Sequence, residues 1–368
     1  MYELFMSNFF FLKTTKMVAA GASGNEAMGI LMTDGKFYTR GRNTNGRLAT
    51  GDTTDIYDHW YQAATNVADV WGGGYTFLKK DKQGAFQLVG ALNAIGTSSN
   101  VSNFTALPEA FSGTFDLTKI IDVCISVESI MFLLSNGDVY MAGVNTNGSC
   151  GLSTTNITTP LRVATNVRSI AMAATTSYYV TNDNKLYCSG DNSFNQLGNG
   201  NTTTRKAFAE LTIDGNSGVV QDVNAGLTGA HILTTDNKVY GVGTYLYGQG
   251  SGRLTVPTLT TLPADDLPYS LNVPSIGNSA MVVTNSKGTM YYGRASLGNY
   301  YGLPSSSSDA YVPIGTILDH KMTTSFLQLS NSSWFLNNGF LYHTGARTIT
   351  DTYNSTVVDS NYTKVDAP

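Results

Sequence analysis

The chain has 368 residues, only 13% of them charged, and a formal net charge of −4. Soluble domains carry about 25% charged residues. With no block of like charge and no basic tail, the composition argues against a nucleic-acid reader. Polarity rests on Asn, Thr, Ser, Gly and Tyr, a profile that suits an extracellular or particle-borne β protein better than a cytosolic enzyme.

The chain opens with MYELFMSNFFFLK, whose apolar run Leu4–Leu12 invites comparison with a secretory leader. Glu3 precedes the run and Lys13 and Lys16 follow it, the reverse of a leader's charge order. No stretch reaches the roughly 18 apolar residues that span a bilayer. A soluble, unprocessed chain with no membrane span is expected. Residues 1–13 have no counterpart later in the sequence. Exposed, their Phe5, Phe9, Phe10 and Phe11 would be an adhesive surface, so this arm is expected to dock on a partner subunit.

From residue 14 onward the sequence repeats. TDGKFYTRGRNTNGRL (33–48) returns as SNGDVYMAGVNTNGSCGL (135–152) and NDNKLYCSGDNSFNQLG (182–198). Looser copies are KQGAFQLVGALNAIG (82–96), TDNKVYGVGTYLYGQG (235–250), SKGTMYYGRASLG (286–298) and NNGFLYHTGAR (337–347). Aligned on Gly35, Gly84, Gly137, Asn184, Asn237, Gly288 and Gly339, the seven copies are 49, 53, 47, 53, 51 and 51 residues apart. In each, a short apolar run meets a pair such as DG, NG or DN that tolerates positive φ, then a second apolar run. That is a hairpin. The second run holds Tyr38, Tyr140, Tyr187, Tyr240, Tyr291 or Tyr342, with Gln87 in the second copy, and a glycine usually follows three residues later.

A further strand precedes each hairpin: 15–21, 66–73, 119–126, 166–173, 219–226 and, more loosely, 269–277 and 315–323. An eighth such segment, 362–367, ends the chain. The surplus strand predicts a ring whose two chain ends meet in a neighbouring or shared sheet. Four short strands per copy, seven times, predict an all-β, seven-bladed β-propeller over residues 14–368.

The order apolar strand, DG, aromatic, Tyr, Gly, then N-x-x-G-x-L-G resembles the repeat of the regulator of chromosome condensation family over essentially the whole chain. GDNSFNQLGNG (190–200) is its clearest copy. The resemblance implies a propeller and a habit of binding proteins. The family's exchange factors use an inserted wedge and a basic tail, and its plant ultraviolet photoreceptor a tryptophan cluster. This chain has no basic tail, no insertion equated with the wedge, and only Trp60, Trp71 and Trp334 in different repeat positions.

Several motifs invite a chemical reading. GDNSFNQLGNG lacks the Lys and the strand-to-helix setting of a phosphate loop, and its recurrence marks a blade turn in which Leu197 packs between blades. Asp52, Asp55 and Asp58 stand three apart, without the order of a calcium loop, and are expected in a solvated loop. His59, His231, His320 and His343 fall in different repeats without metal spacing. His231 sits in an apolar strand and is expected to be a satisfied core residue. Cys124, Cys150 and Cys188 show no CxxC spacing and read as buried free thiols. No catalytic, cofactor-binding or metal-binding residue is assigned, and the chain is read as not an enzyme.

The candidates for partner binding are aromatics outside the repeat template: Tyr57, Trp60 and Tyr61 in DIYDHWYQ, Tyr245 and Tyr247 in TYLYGQG, Tyr300 and Tyr301 in GNYYGL, all expected in exposed loops. The functional expectation is a structural, decoration or host-binding tail component of a bacteriophage virion. It would be held by other virion proteins through the arm and face a host protein or glycan. A free cytoplasmic regulator of the same propeller family is the alternative, and a carbohydrate-active propeller enzyme a further one.

Overall fold

In the first repeat, an apolar strand (Asn25–Met32) turns at Thr33–Lys36 into Phe37–Gly41. The Gly35 amide donates to the Met32 carbonyl at 2.9 Å, and Gly35 takes φ 85°. The aligned residues Gly84, Gly137, Asn184 and Asn237 also have positive φ, from 60° to 92°. Glycine and asparagine are the residues that enter this region at least cost, which is why the repeat keeps them there.

The computed structural model describes residues 14–22, 25–213, 219–226, 228–244 and 253–260. Beyond these it describes the strands 268–272, 282–285, 290–292, 312–313, 323–329, 332–337, 340–346 and 358–365. These residues form seven four-stranded antiparallel sheets, each of strands consecutive in sequence. The first sheet runs from its inner strand Thr14–Ala22 through the hairpin to the outer strand Ile56–Ala64. The others span Val67–Ala106, Ile120–Ala164, Val167–Glu210, Val220–Leu259, Pro268–Pro313 and Thr323–Val365. Inner strands of the first six sheets lie side by side in order, and Thr323–Leu329 lies against Thr14–Ala22. The result is a radial propeller.

Two expectations are corrected. The seventh inner strand is Thr323–Leu329, not 315–323, because its register runs from Thr323 opposite Asn337 to Leu329 opposite Ser332. The terminal segment is not a surplus inner strand. Val358–Val365 pairs with Phe340–Ala346 as the outer strand of the seventh sheet, so among the described residues Thr14–Ala22 and Val358–Val365 belong to different sheets.

The described core lies between sheets. Val18, Phe37 and Leu48 meet Val67, Val70 and Phe77 at the first junction. Tyr178, Cys188 and Leu197 meet Val220, Val223 and Ala225 at the fourth. Residues 107–119, which join the second and third sheets, carry two short helical turns, Glu109–Ser112 and Leu117–Lys119. This connection turns inward: Phe111 and Phe115 are buried, and Phe115 stacks on Tyr140 at 4.6 Å between centroids.

The glycine near the end of the third strand in the first five sheets has a steric cause. Gly190 has φ 117°, and a Cβ there would sit 2.2 Å from the Thr175 carbonyl oxygen. That carbonyl accepts from the next amide, Asp191, at 3.0 Å. Gly41, Gly90, Gly143 and Gly243 repeat the arrangement against Glu26, Tyr75, Glu128 and Thr228.

Candidate functional site

The loop quoted above is a structural clamp. Asn192 is fully buried; its Oδ1 accepts from the Leu197 amide at 2.9 Å and its Nδ2 donates to the Asn201 carbonyl at 2.7 Å. Asn145 does the same with Cys150 and Thr154, and Asn43 with Leu48 and Asp52. Each clamp drives the fifth following residue, Leu48, Cys150 or Leu197, into the core with no exposure. The Gly51 amide reaches Ser102 and the Gly200 amide reaches Thr255, so these loops also strap one sheet to the outer strand of the next. Three superimposable polar loops that stabilise sheet junctions hold no common reacting centre.

The other singled-out residues separate in the same way. Asp52 bonds Thr50 and Thr54, Asp55 bonds Arg42, Asn43 and Tyr57, and Asp58 bonds His59. The three carboxylates therefore do not converge. His231 is fully buried, as expected, but neither ring nitrogen has a hydrogen-bond partner, so it is not satisfied. Burial pushes it down to about 3. Cys124, Cys150 and Cys188 are free, and burial pushes the Cys150 and Cys188 thiols up to about 12. Such thiols are poor nucleophiles.

Against this regular frame the first sheet departs from the template. In the second to fifth sheets, two residues of the third strand face four of the outer strand, as Cys188 and Gly190 face Ala209 and Arg205. In the first, Thr39 and Gly41 face Tyr61 and Ile56, one residue more. Arg40 fills the swelling. It is 6% exposed, donates to the Tyr57 carbonyl, and lies 5.1 Å from the Trp60 ring centroid. The aligned residues elsewhere are Val89, Ala142, Ser189 and Val242.

Tyr57, Trp60 and Tyr61 are therefore not on a loop. They lie on the outer strand Ile56–Ala64 and are half-buried, because this sheet's edge closes over Arg40. Tyr57 Oη donates to Asp55 Oδ2 at 2.9 Å, and burial beside that carboxylate raises its phenol above the ordinary range. Arg42 Nη1 donates to the same oxygen at 3.1 Å, and the Asn43 amide donates to Asp55 Oδ1 at 2.7 Å. Phe5, Phe9, Phe10, Phe11, Tyr245, Tyr247, Tyr300 and Tyr301 lie outside the described residues.

Sequence reasoning missed the cations that accompany these aromatics. Arg47 is fully buried; it donates to the Ala20 carbonyl and to Thr44 and Asn45, and sits 4.9 Å from the Tyr75 ring. Burial pushes its guanidinium down to about 10. Lys79, where the other sheets carry Ile30, Phe132, Tyr179 and Ile232, lies 5.1 Å from the Phe104 ring. Burial lowers it as well. The signal was in the alignment of the copies: a charged residue where the template is apolar or small.

No protein-family model matches the chain. Among solved structures it is similar to human WBSCR16, with a TM-score of 0.71 and 16% identity over 88% of this chain and 86% of that one. It is similar to yeast RCC1 (Prp20) in its complex with Kap60, with a TM-score of 0.68 and 15% identity over 88% and 80%. Saccharomyces cerevisiae Prp20p, described with its binding to Gsp1p and histones, gives 0.66 and 16% over 88% and 82%. The shared feature is the fold, and the chain is an RCC1-like β-propeller in architecture.

Proposed function

We propose that the chain is a non-enzymatic protein-interaction propeller. The observation that carries this reading is the first sheet, where a regular frame is interrupted at the rim by Arg42, Tyr57 and Trp60, with Arg40 buried under the Trp60 ring. Arg, Tyr and Trp are the residue types that dominate protein interfaces. The clamped loops and the raised thiols support a framework role for the other polar groups. The structural neighbours are consistent with it, since the Prp20 structures are described with protein partners.

In its finer form the proposal is a bacteriophage virion component, structural or host-binding, working in the extracellular particle. The low charge and the Asn-, Thr-, Ser-, Gly- and Tyr-rich composition support it, as does the apolar arm, which would seat the propeller on other virion proteins. A host surface protein or glycan would then meet the ring. The likeness to Prp20 favours a second reading, a free protein-binding regulator in the cytoplasm. Mass spectrometry of purified virus-sized particles from the native source separates the two. Stoichiometric recovery in particles supports the virion reading, and recovery only as a free protein replaces it with the regulator.

A further inference from the structure

We propose that Lys16 and Asp69 become joined by an amide bond, a covalent cross-link that the folded chain forms between the inner strands of its first and second sheets. The bond fastens Thr14–Ala22, the first described strand, to the sheet that follows it. This modification site is independent of the interaction reading above.

Each inner strand has a register shift near its start, and the residue after it occupies one level of the ring. In the first five sheets these residues are Lys16, Asp69, Asp122, Ser169 and Asp222, opposite Leu31, Lys80, Leu133, Val180 and Leu233. Contacts run from sheet to sheet at this level. Ser169 Oγ donates to Asp222 Oδ1 at 2.7 Å, and Lys16 Nζ donates to Asp69 Oδ1 at 2.7 Å. The other lysine–carboxylate pairs among the described residues, Lys36 with Asp34, Lys185 with Glu210 and Lys238 with Asp236, each lie within one sheet. Both members of the Lys16 pair are held in place. Asp69 Oδ1 also takes the Val70 amide at 2.8 Å, and Lys16 Nζ lies 4.8 Å from the centroid of the buried Trp71 ring.

An amine and a carboxyl fixed in contact can reach an effective molarity of about 10⁵–10⁸ M, which favours their condensation. Asp122 supplies the acid. It stands at the same level of the third inner strand, where burial raises its carboxyl above the ordinary range and the Asp69 charge adds to the rise, against the pull of the Val123 amide and of Lys16. A carboxyl that keeps its proton can pass it to a departing oxygen. The Lys16 ammonium first gives a proton to the Asp69 carboxylate, and the free amine attacks Asp69 Cγ. The C–N bond forms, Asp122 protonates the hydroxyl on Cγ, and the C–O bond breaks to release water. The second proton lost by the nitrogen returns to Asp122. One ammonium and one carboxylate thus become one amide and one water, with no further reactant. The Lys16 and Asp69 side chains are 36% and 39% exposed, so the water has a way out.

The test is the mass of the full chain under denaturing conditions, with peptide fragmentation to place any bond. The native chain is expected to be one water lighter than its sequence, with Lys16 and Asp69 in one branched peptide. Lys16→Arg keeps the charge on a guanidinium that does not deprotonate, and Asp69→Ala removes the carboxyl. Each should restore the full mass in a chain that circular dichroism shows to be folded. Asp122→Asn keeps the shape without the acid and should leave most of the folded chain at full mass. A folded native chain at its full sequence mass overturns the proposal. So does a loss of water that persists in Lys16→Arg, or one that fragmentation places elsewhere, as at Asp34–Gly35, where cyclisation also releases water. Cross-linking to the native extent in Asp122→Asn refutes Asp122 as the acid. None of these readouts depends on what the propeller binds, so their failure leaves the interaction reading standing.

Discussion

Replacing Asn192 by alanine tests the claim that the polar loops are clamps. In the native chain its amide holds the Leu197 N–H at 2.9 Å and the Asn201 carbonyl at 2.7 Å, and the side chain is fully buried. Alanine strips the Leu197 amide of its partner in a site that water does not reach. An orphaned buried amide costs about 1–3 kcal/mol. The Asn201 carbonyl keeps a second donor, Asn195 Nδ2 at 2.8 Å, so its loss is smaller. The sum is a destabilisation of about 2–3 kcal/mol at the junction between the fourth and fifth sheets. Urea unfolding gives the global figure, and hydrogen exchange at the Leu197 amide gives the local one. The exposed Asn136→Ala serves as control and should stay within about 0.5 kcal/mol. A change below that bound for Asn192→Ala, with the Leu197 amide still protected, would refute the clamp.

Other expectations follow from the same geometry. Gly190→Ala places a methyl 2.2 Å from the Thr175 carbonyl at φ 117°, so it should destabilise more than Gly113→Ala, whose methyl would lie 3.4 Å from the Glu109 carbonyl without positive φ; thermal unfolding compares the two. Cys150 and Cys188, pushed up to about 12, should resist thiol reagents in the folded chain and react at once in denaturant. Arg40→Ala should uncover the Trp60 ring and shift its fluorescence to the red, with about 2 kcal/mol lost from cation–π and packing contacts. His231 is pushed from its ordinary 6.5 down to about 3, so the native state binds fewer protons than the unfolded chain between those values. Its contribution is therefore whole above pH 6.5 and is lost as pH falls through the window below it. By pH 5 the loss is about 2 kcal/mol. An acid titration of Tm should flatten in His231→Leu; an unchanged slope would place the acid sensitivity elsewhere.

The hairpins and the Asn loops were legible because their causes are local: a positive-φ turn, an alternating strand, a side chain capping its own loop. The failures came where the cause lies in another segment. Residues 315–323 read as the strand, and what selects Thr323–Leu329 instead is its pairing with Ser332–Asn337. In the first five sheets the inner strand ends three or four residues before its partner begins, as Gly73 precedes Thr76 and Ile125 precedes Ser129, and the seventh keeps that spacing from Leu329 to Ser332, whereas the sixth has ten from Asn272 to Val282. DIYDHWYQ read as a loop because Asp58 and His59 face solvent. An outer strand has one open edge and tolerates such residues, while Trp60 turns inward over Arg40.

That contact also shows how a repeat protein conceals a site from motif reasoning. Fixed spacing advertises what every copy must do, and each copy must turn, clamp and pack. A residue that serves one surface only has no second copy to advertise it. Arg40 and Lys79 stand where buried small or apolar residues belong, and Arg47 where Ser149 and Gln196 make uncharged contacts. A buried cation is tolerated only if something replaces its water, and each of these has a ring in reach: Trp60, Phe104 and Tyr75. The aromatic and the cation are thus one feature, and neither is explained by the template alone. If the pairing is structural only, exchanging Arg40 for the valine found at two equivalent positions should be near neutral for stability, as replacing buried charge by packed hydrocarbon often is. If the pair serves the rim, Arg40→Val should fold normally and yet weaken binding of the chain's protein partners in a pull-down from the native source, because the strand that carries Tyr57 loses the guanidinium holding its carbonyl. Retained stability with retained binding would return the swelling of the first sheet to a packing variant.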